Sequence, residues 1–232
     1  MAILRVNPIP ASNHSTSPPV VRPDSSVRRT ARIVGVLFLA GFLAYGVGNL
    51  IATGIVSSAD RSGSTALFVT GAALMLLNSA FVIGIGVLMF PILRAHNKAI
   101  AAGYLGTRIF EGVVLAIGVV SLIVLTNSAA IHANSAFYNV AEAGLGIGSL
   151  FFCALLFRTG LVPRWLAVWG FIGYACFAVG NLLELFGVAG AGLVGAIPGG
   201  LFELTFGVWL IARGFASTAT VRSRASAAVA PA

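Results

Sequence analysis

An all-α bundle of six transmembrane helices, with both termini cytoplasmic, is the fold that the sequence predicts. Three observations carry that prediction. Only 9% of the residues are charged and 58% are hydrophobic, with a mean hydropathy of +0.99, whereas soluble domains carry about 25% charged residues. The apolar residues gather into six runs, each near the roughly 20 residues that a bilayer requires. Those runs lack the alternation of barrel strands, and a helix closes its own backbone hydrogen bonds, as hydrocarbon demands.

The elements follow in chain order. Residues 1–31 are rich in Pro, Ser, Arg and Asn and contain no apolar h-region, which predicts a disordered basic cytoplasmic tail rather than a cleavable signal peptide. A transmembrane domain is expected over 32–213, with spans near 33–56, 66–92, 99–125, 138–157, 165–187 and 192–213. Residues 214–232, "GFASTATVRSRASAAVAPA", read as a second disordered cytoplasmic tail. Basic residues set the orientation. Arg5, Arg22, Arg28, Arg29, Arg32, Arg94, Lys98, Arg158, Arg164, Arg213, Arg222 and Arg224 all fall on one side. Only Arg61 falls on the other, and Arg108 lies within a span.

The net charge of +8 is therefore distributed by topology and forms no stripe on one domain, which argues against nucleic acid as a partner. The partner expected instead is the lipid bilayer. Cys153 and Cys176 sit in apolar runs as free, buried thiols. His14 and His96 belong to the cytoplasmic tail and loop, and His132 to the loop before the fourth span. None has the spacing of a metal motif, so no metal, cofactor or catalytic residue is expected.

Polar residues inside the spans hold the functional information. Of the six acids only Asp24 and Asp60 lie outside; Glu111, Glu142, Glu184 and Glu203 lie within, with Arg108, Asn49, Asn78 and Asn181. An ionised side chain at mid-bilayer costs about 2.5–3.5 kcal/mol even on the lenient insertion scale. At 1.5 Å per residue, Glu111 lies about 18 Å into the third span, near the midplane. Arg108 is one turn away on the same face, and Glu203 and Asn78 reach a similar level. These four form a candidate buried polar cluster. Asn49, Glu142, Asn181 and Glu184 are expected in the outer leaflet, where Glu142 and Glu184 would meet interfacial water.

Each acid shares its helical face with small or polar residues. The sixth span shows Ala196, Gly199, Gly200, Glu203 and Gly207; the fourth shows Asn139, Glu142, Gly146, Ser149 and Cys153. Small residues let helices approach closely in lipid, so the acids are expected to point inward. The same glycine-rich faces would allow a homo-oligomer. Pro198, followed by Gly199 and Gly200, predicts a kink or interruption in the sixth helix, the device by which transporters expose backbone groups to a ligand. One arginine cannot neutralise four glutamates in low dielectric. The excess must be protonated, hydrated or matched by a bound cation.

Four stretches together, "RRTARIVGVLFLAGFL", "LMFPILRAHNKAIAAGYLGTRIFEGVVLAIG", "LLFRTGLVPRWLAVWGFIGYA" and "GLFELTFGVWLIARGF", resemble a bacterial integral-membrane family catalogued as domain of unknown function 4386. The resemblance runs from about residue 28 to 214. It rests on Arg108 and Glu111, on Pro163, Arg164 and Trp165, and on Glu203 with Trp209. It implies a multi-pass protein of the bacterial inner membrane and supplies no activity.

Three function classes remain. The sequence favours an accessory, regulatory or structural membrane protein with a buried Arg–Glu cluster. The alternative is a small transporter-like protein that binds a proton, cation or cationic solute at midplane glutamates; its ligand is unspecified. An intramembrane enzyme is the least supported, because carboxylates without a nucleophile or histidine offer only weak acid–base chemistry.

Overall fold

The computed structural model describes residues 25–58, 65–125 and 128–216. They form six α-helices, α1 (Ser25–Ser57), α2 (Thr65–Arg94), α3 (Lys98–Leu125), α4 (Ser128–Thr159), α5 (Arg164–Leu185) and α6 (Ala191–Ala212). All six are long and apolar enough to cross a bilayer, and the chain is a multi-pass membrane protein.

Two helices are longer than the hydropathy pattern indicated. Helix α1 begins at Ser25, so the end of the expected tail is helical and Ala31 is buried in the core. Helix α4 begins at Ser128, well before residue 138. Its first turns carry exposed His132 and buried Asn134, polar residues that lower the hydropathy without breaking the helix. His132 is therefore a helix residue rather than a loop residue. At the other terminus Gly214 turns with φ 69° and the Ala216 N–H donates to the Leu161 carbonyl at 2.9 Å, which seats Phe215 in the core. The tails expected at 1–24 and 217–232 lie outside the described residues.

Each helix packs against its neighbours in sequence, and α1 closes the ring against α6. Glycines set the registers. A Cβ on Gly48 would lie 2.7 Å from the Gly71 carbonyl of α2, and one on Gly35 would lie 2.5 Å from the Gly207 carbonyl of α6. Helices α5 and α6 meet where Gly180 faces Ala191 and Gly195, and where Gly173 faces Gly199. The pairings run in opposite directions along the chain, so these neighbours are antiparallel. The small residues expected to serve association thus meet within one chain, where close backbone approach replaces the hydrophobic drive that lipid withholds.

Leu, Val, Ile and Phe side chains cover the outside, while the apolar core falls into two blocks. A larger one, rich in aromatics, includes Phe38, Tyr104, Phe152, Phe202, Phe206 and Leu210. It lies toward the end of the bundle where α1 starts and α6 stops, called the terminal end below. A smaller block, with Ala52, Met75, Val119 and Leu122, lies toward the far end. The polar residues occupy the gap between them.

Helix α6 continues through Pro198 without interruption. Of the kink or interruption expected there, the interruption is absent. Membrane helices tolerate an internal proline when neighbours satisfy the freed backbone group. Gly199 serves packing, since a Cβ there would overlap the Phe177 ring, whereas one on Gly200 would only touch Phe42 at 3.4 Å.

The glycine crossings yield a direct test. Gly180→Leu would push a side chain to 2.6 Å from the Ala191 carbonyl and 2.9 Å from Gly195 Cα, and is expected to destabilise the bundle by about 1–3 kcal/mol. Unfolding of the detergent-solubilised chain in sodium dodecyl sulfate would measure it. Gly103→Leu, at an exposed position facing open space, should leave the midpoint unchanged.

Candidate functional site

Helix α3 buries Ala101, Tyr104, Arg108, Glu111, Gly112 and Leu115 on one face. That spacing turns both charges of the third span inward. Room for the arginine stem comes from α2, where a Cβ on Gly86 would sit 2.8 Å from the Arg108 Cβ. The Arg108 side chain is only 1% exposed, and every nitrogen of its guanidinium has a partner. Nε donates to the Tyr104 hydroxyl at 3.0 Å. Nη1 donates to both Glu111 oxygens at 3.3 and 2.9 Å. Nη2 donates to the Tyr174 hydroxyl at 3.2 Å and to Glu203 Oε1 at 3.1 Å. The Tyr174 hydroxyl passes the chain on, donating to Glu203 Oε1 at 2.7 Å. The Phe38 ring covers the guanidinium carbon at 5.0 Å.

The cluster therefore ties α3, α5 and α6 together. A buried ion needs this much compensation, since its desolvation costs several kcal/mol even after relaxation. On the terminal side an aromatic stack seals it. Tyr104 stacks on Phe152 with centroids 4.3 Å apart, and Phe206 meets Phe38, Phe152 and Phe202 at 5.6, 6.0 and 5.5 Å.

On the far side the cluster opens into a cavity of about 240 Å³. Glu111, Glu203, Arg108, Asn78 and Glu142 contribute its polar lining, with Phe42, Tyr45, Tyr138 and Phe177 among its aromatic walls. Glu142 is the unexpected member. It lies on α4, whose early start carries it from the expected outer end to the middle of the bundle. It is 7% exposed, and among the described residues no hydrogen bond or ion pair satisfies its carboxylate. Three carboxylates thus share one guanidinium.

A second cavity, of about 350 Å³, continues toward the far end. Tyr45, Tyr138 and Ala196 line both spaces, and the two tyrosine rings stack with centroids 5.2 Å apart. Beyond them lie Asn49, Asn134, Asn139 and Glu184. Asn134 donates to Asn49 at 3.2 Å, bridging α4 and α1. Glu184 accepts from the Gly192 N–H at 3.0 Å in the first turn of α6, where a helix N-terminus favours an anion. Asn181 is fully buried and donates to its own helix, at the Phe177 carbonyl.

The chain's similarity to known families can now be set beside this geometry. The family described as a domain of unknown function (DUF4386) matches residues 33–214. The chain belongs to this family. The match takes in Arg108, Glu111, Glu142 and Glu203, and so the whole central site of this DUF4386 protein. No curated protein and no solved structure matches the chain.

The structure brings Arg108, Glu111, Glu203 and Asn78 into one site, together with Gly200, and it moves Glu142 into that site from the outer group. It places Asn49 and Glu184 in the far-end cavity and leaves Pro198 and Gly199 in helix packing. Cys153 is a buried free thiol, and Cys176 is half-buried. The residues that sequence reasoning missed are the tyrosines. The chain has four, and all of them line this polar column. Tyrosine in membrane proteins concentrates at the interfaces, so four tyrosines within spans were a readable signal.

The saturation of Arg108 and the isolation of Glu142 predict opposite responses. Arg108→Met would strand buried carboxylates and cost about 3–5 kcal/mol, while Arg108→Met with Glu111→Gln and Glu203→Gln should regain most of it. Glu142→Gln removes a buried carboxylate with no bonded partner among the described residues and should leave stability unchanged or raise it. Detergent unfolding curves for the three variants check this. Tyr174→Phe removes two bonds to charged groups and should cost about 1.5–3 kcal/mol.

Proposed function

We propose that this DUF4386 protein is a small, transporter-like protein that binds a positively charged species in the central cavity. The observation that carries the reading is Glu142, a buried carboxylate without a bonded partner among the described residues, facing the same space as Glu111 and Glu203. Two carboxylates exceed what Arg108 neutralises. In low dielectric such an excess is relieved by protonation or by a cation. The cavity lies near the middle of the helices, the level at which secondary transporters hold substrate and coupling ions.

Orientation follows from charge. Arg28, Arg29, Arg32, Arg94, Lys98, Arg158, Arg164 and Arg213 gather at the terminal end. Trp165, Trp169 and Trp209 cluster beside them, as an interfacial aromatic belt would. The terminal end is then cytoplasmic and the membrane a bacterial inner membrane. The far-end cavity, with its asparagines and Glu184, is the approach from outside. The aromatic stack below Arg108 is the barrier toward the cytoplasm.

A structural role fits the Arg108 cluster, because every nitrogen of the guanidinium is bonded. The two readings divide the site: Arg108, Glu111 and Glu203 hold the helices, and Glu142 meets the ligand.

Proteoliposomes carrying the full chain would test the transport reading against imposed gradients of protons, Na⁺, K⁺ and short alkylammonium ions. At least one gradient is expected to drive flux that Glu142→Gln lowers ten-fold or more, with the unfolding midpoint unchanged or raised. No flux from any of them, or flux indifferent to Glu142→Gln, would overturn it.

A further inference from the structure

The walls of the central cavity specify more than charge. We propose that its ligand is a small organic monocation, an alkylammonium whose nitrogen sits against Glu142 and whose apolar body lies toward the seam between α1 and α6. The proposal rests on the cation-binding reading above and names the class of cation.

An anion is disfavoured by the state of Arg108. Each of its nitrogens already donates to Tyr104, Glu111, Tyr174 or Glu203, and Glu111, Glu142 and Glu203 line the same space and would repel an incoming carboxylate or phosphate. A bare metal ion is disfavoured by geometry. Hard cations want six or more oxygen ligands, and among the described residues no three His, Cys, Asp or Glu side chains converge as a metal ion needs. An ammonium head needs less. One carboxylate supplies the countercharge, and aromatic faces attract the cation through their quadrupoles. Glu142 supplies the first. Tyr45, Tyr138, Phe42 and Phe177 line the same space and supply the second.

The remaining lining is apolar and asymmetric. Leu37, Phe42 and Gly46 of α1 face Ala196 and Gly200 of α6 across the cavity. Phe42 is 37% exposed on the outer surface and Gly46 is exposed beside open space, so the cavity reaches the lipid-facing side along this seam. A Cβ on Gly200 would touch the Phe42 ring; the glycine keeps that flank open. An apolar body there leaves water without losing any hydrogen bond, and each added methylene should tighten binding by roughly four-fold.

The experiment is calorimetric titration of the full chain in nanodiscs with ammonium, methylammonium and n-butylammonium. The neutral and anionic counterparts are n-butanol and butyrate. Binding is expected to strengthen from ammonium to n-butylammonium and to be absent for n-butanol and butyrate. Glu142→Gln should weaken n-butylammonium at least ten-fold. Phe42→Ala should weaken n-butylammonium while leaving methylammonium within two-fold. Equal binding of n-butylammonium and n-butanol, or heat unaffected by Glu142→Gln, would mean partition into lipid and overturn the proposal. If protons or Na⁺ give Glu142-dependent flux in proteoliposomes while n-butylammonium neither binds nor inhibits, the ligand class is wrong and the transport reading stands. If Glu142→Gln alters neither binding nor flux, both fall.

Discussion

A guanidinium buried at 1% exposure in the middle of a membrane bundle dictates much of what surrounds it. Left bare, Arg108 would cost more than the bundle could recover, so neighbouring helices supply groups that answer it. Helix α3 gives Tyr104 and Glu111, α5 gives Tyr174, α6 gives Glu203, α1 lays Phe38 across its face, and α2 withdraws a side chain at Gly86. The five N–H donors of arginine in a fixed fork make this possible; a lysine ammonium has three and no plane to stack. The geometry of α3, α5 and α6 is thereby fixed at one level, and the aromatic core on the terminal side packs against that fixed point.

The same cluster explains why Glu142 matters. Arg108 pairs with Glu111 and Glu203, and the fourth helix contributes a further carboxylate that no hydrogen bond or ion pair satisfies among the described residues. Helix α4 could have presented leucine at that position at no electrostatic cost. Burying a carboxylate beside Glu111 and Glu203 instead raises the energy of the empty site, and whatever positive species enters lowers it. On the proposed reading, structural and ligand roles fall on different residues within a few turns of one another.

Much of the architecture was legible because hydropathy acts on long segments. The six spans and the inward faces of α3 and α6 follow from period and composition, and Arg108, Glu111 and Glu203 do meet. The failures have physical causes. Glu142 was assigned to the outer end because Asn134, Asn139 and His132 lowered the hydropathy of the first turns of α4, although polar residues that face inward or lie beyond the lipid do not break a helix. Pro198 left a kink and an interruption both open, because helix continuity is decided by whether neighbours satisfy one backbone group, which a single chain segment does not reveal. The tyrosines were missed because a hydroxyl in a span has no charge to draw notice. Only the placement of Arg108 and Glu203 on facing helices shows why Tyr174 is needed between them.

The ring of helices is not bonded uniformly. Side-chain hydrogen bonds to charged groups join α3, α5 and α6 at the central level, and the glycine crossings of α5 on α6 bring those backbones into contact. Helix α1 reaches its neighbours by other means: the close approaches at Gly35 and Gly48, the rings of Phe38 and Tyr45, and the Asn134–Asn49 bond near the far end. Beyond Gly35 the α1–α6 seam holds the Phe38–Phe206 ring pair, and Phe42 and Gly200 then line the cavity. The central cavity reaches the lipid-facing side along that stretch. The site is thus held by charged hydrogen bonds on its Arg108 side and by rings and close backbone approach, without such bonds among the described residues, on the side of α1.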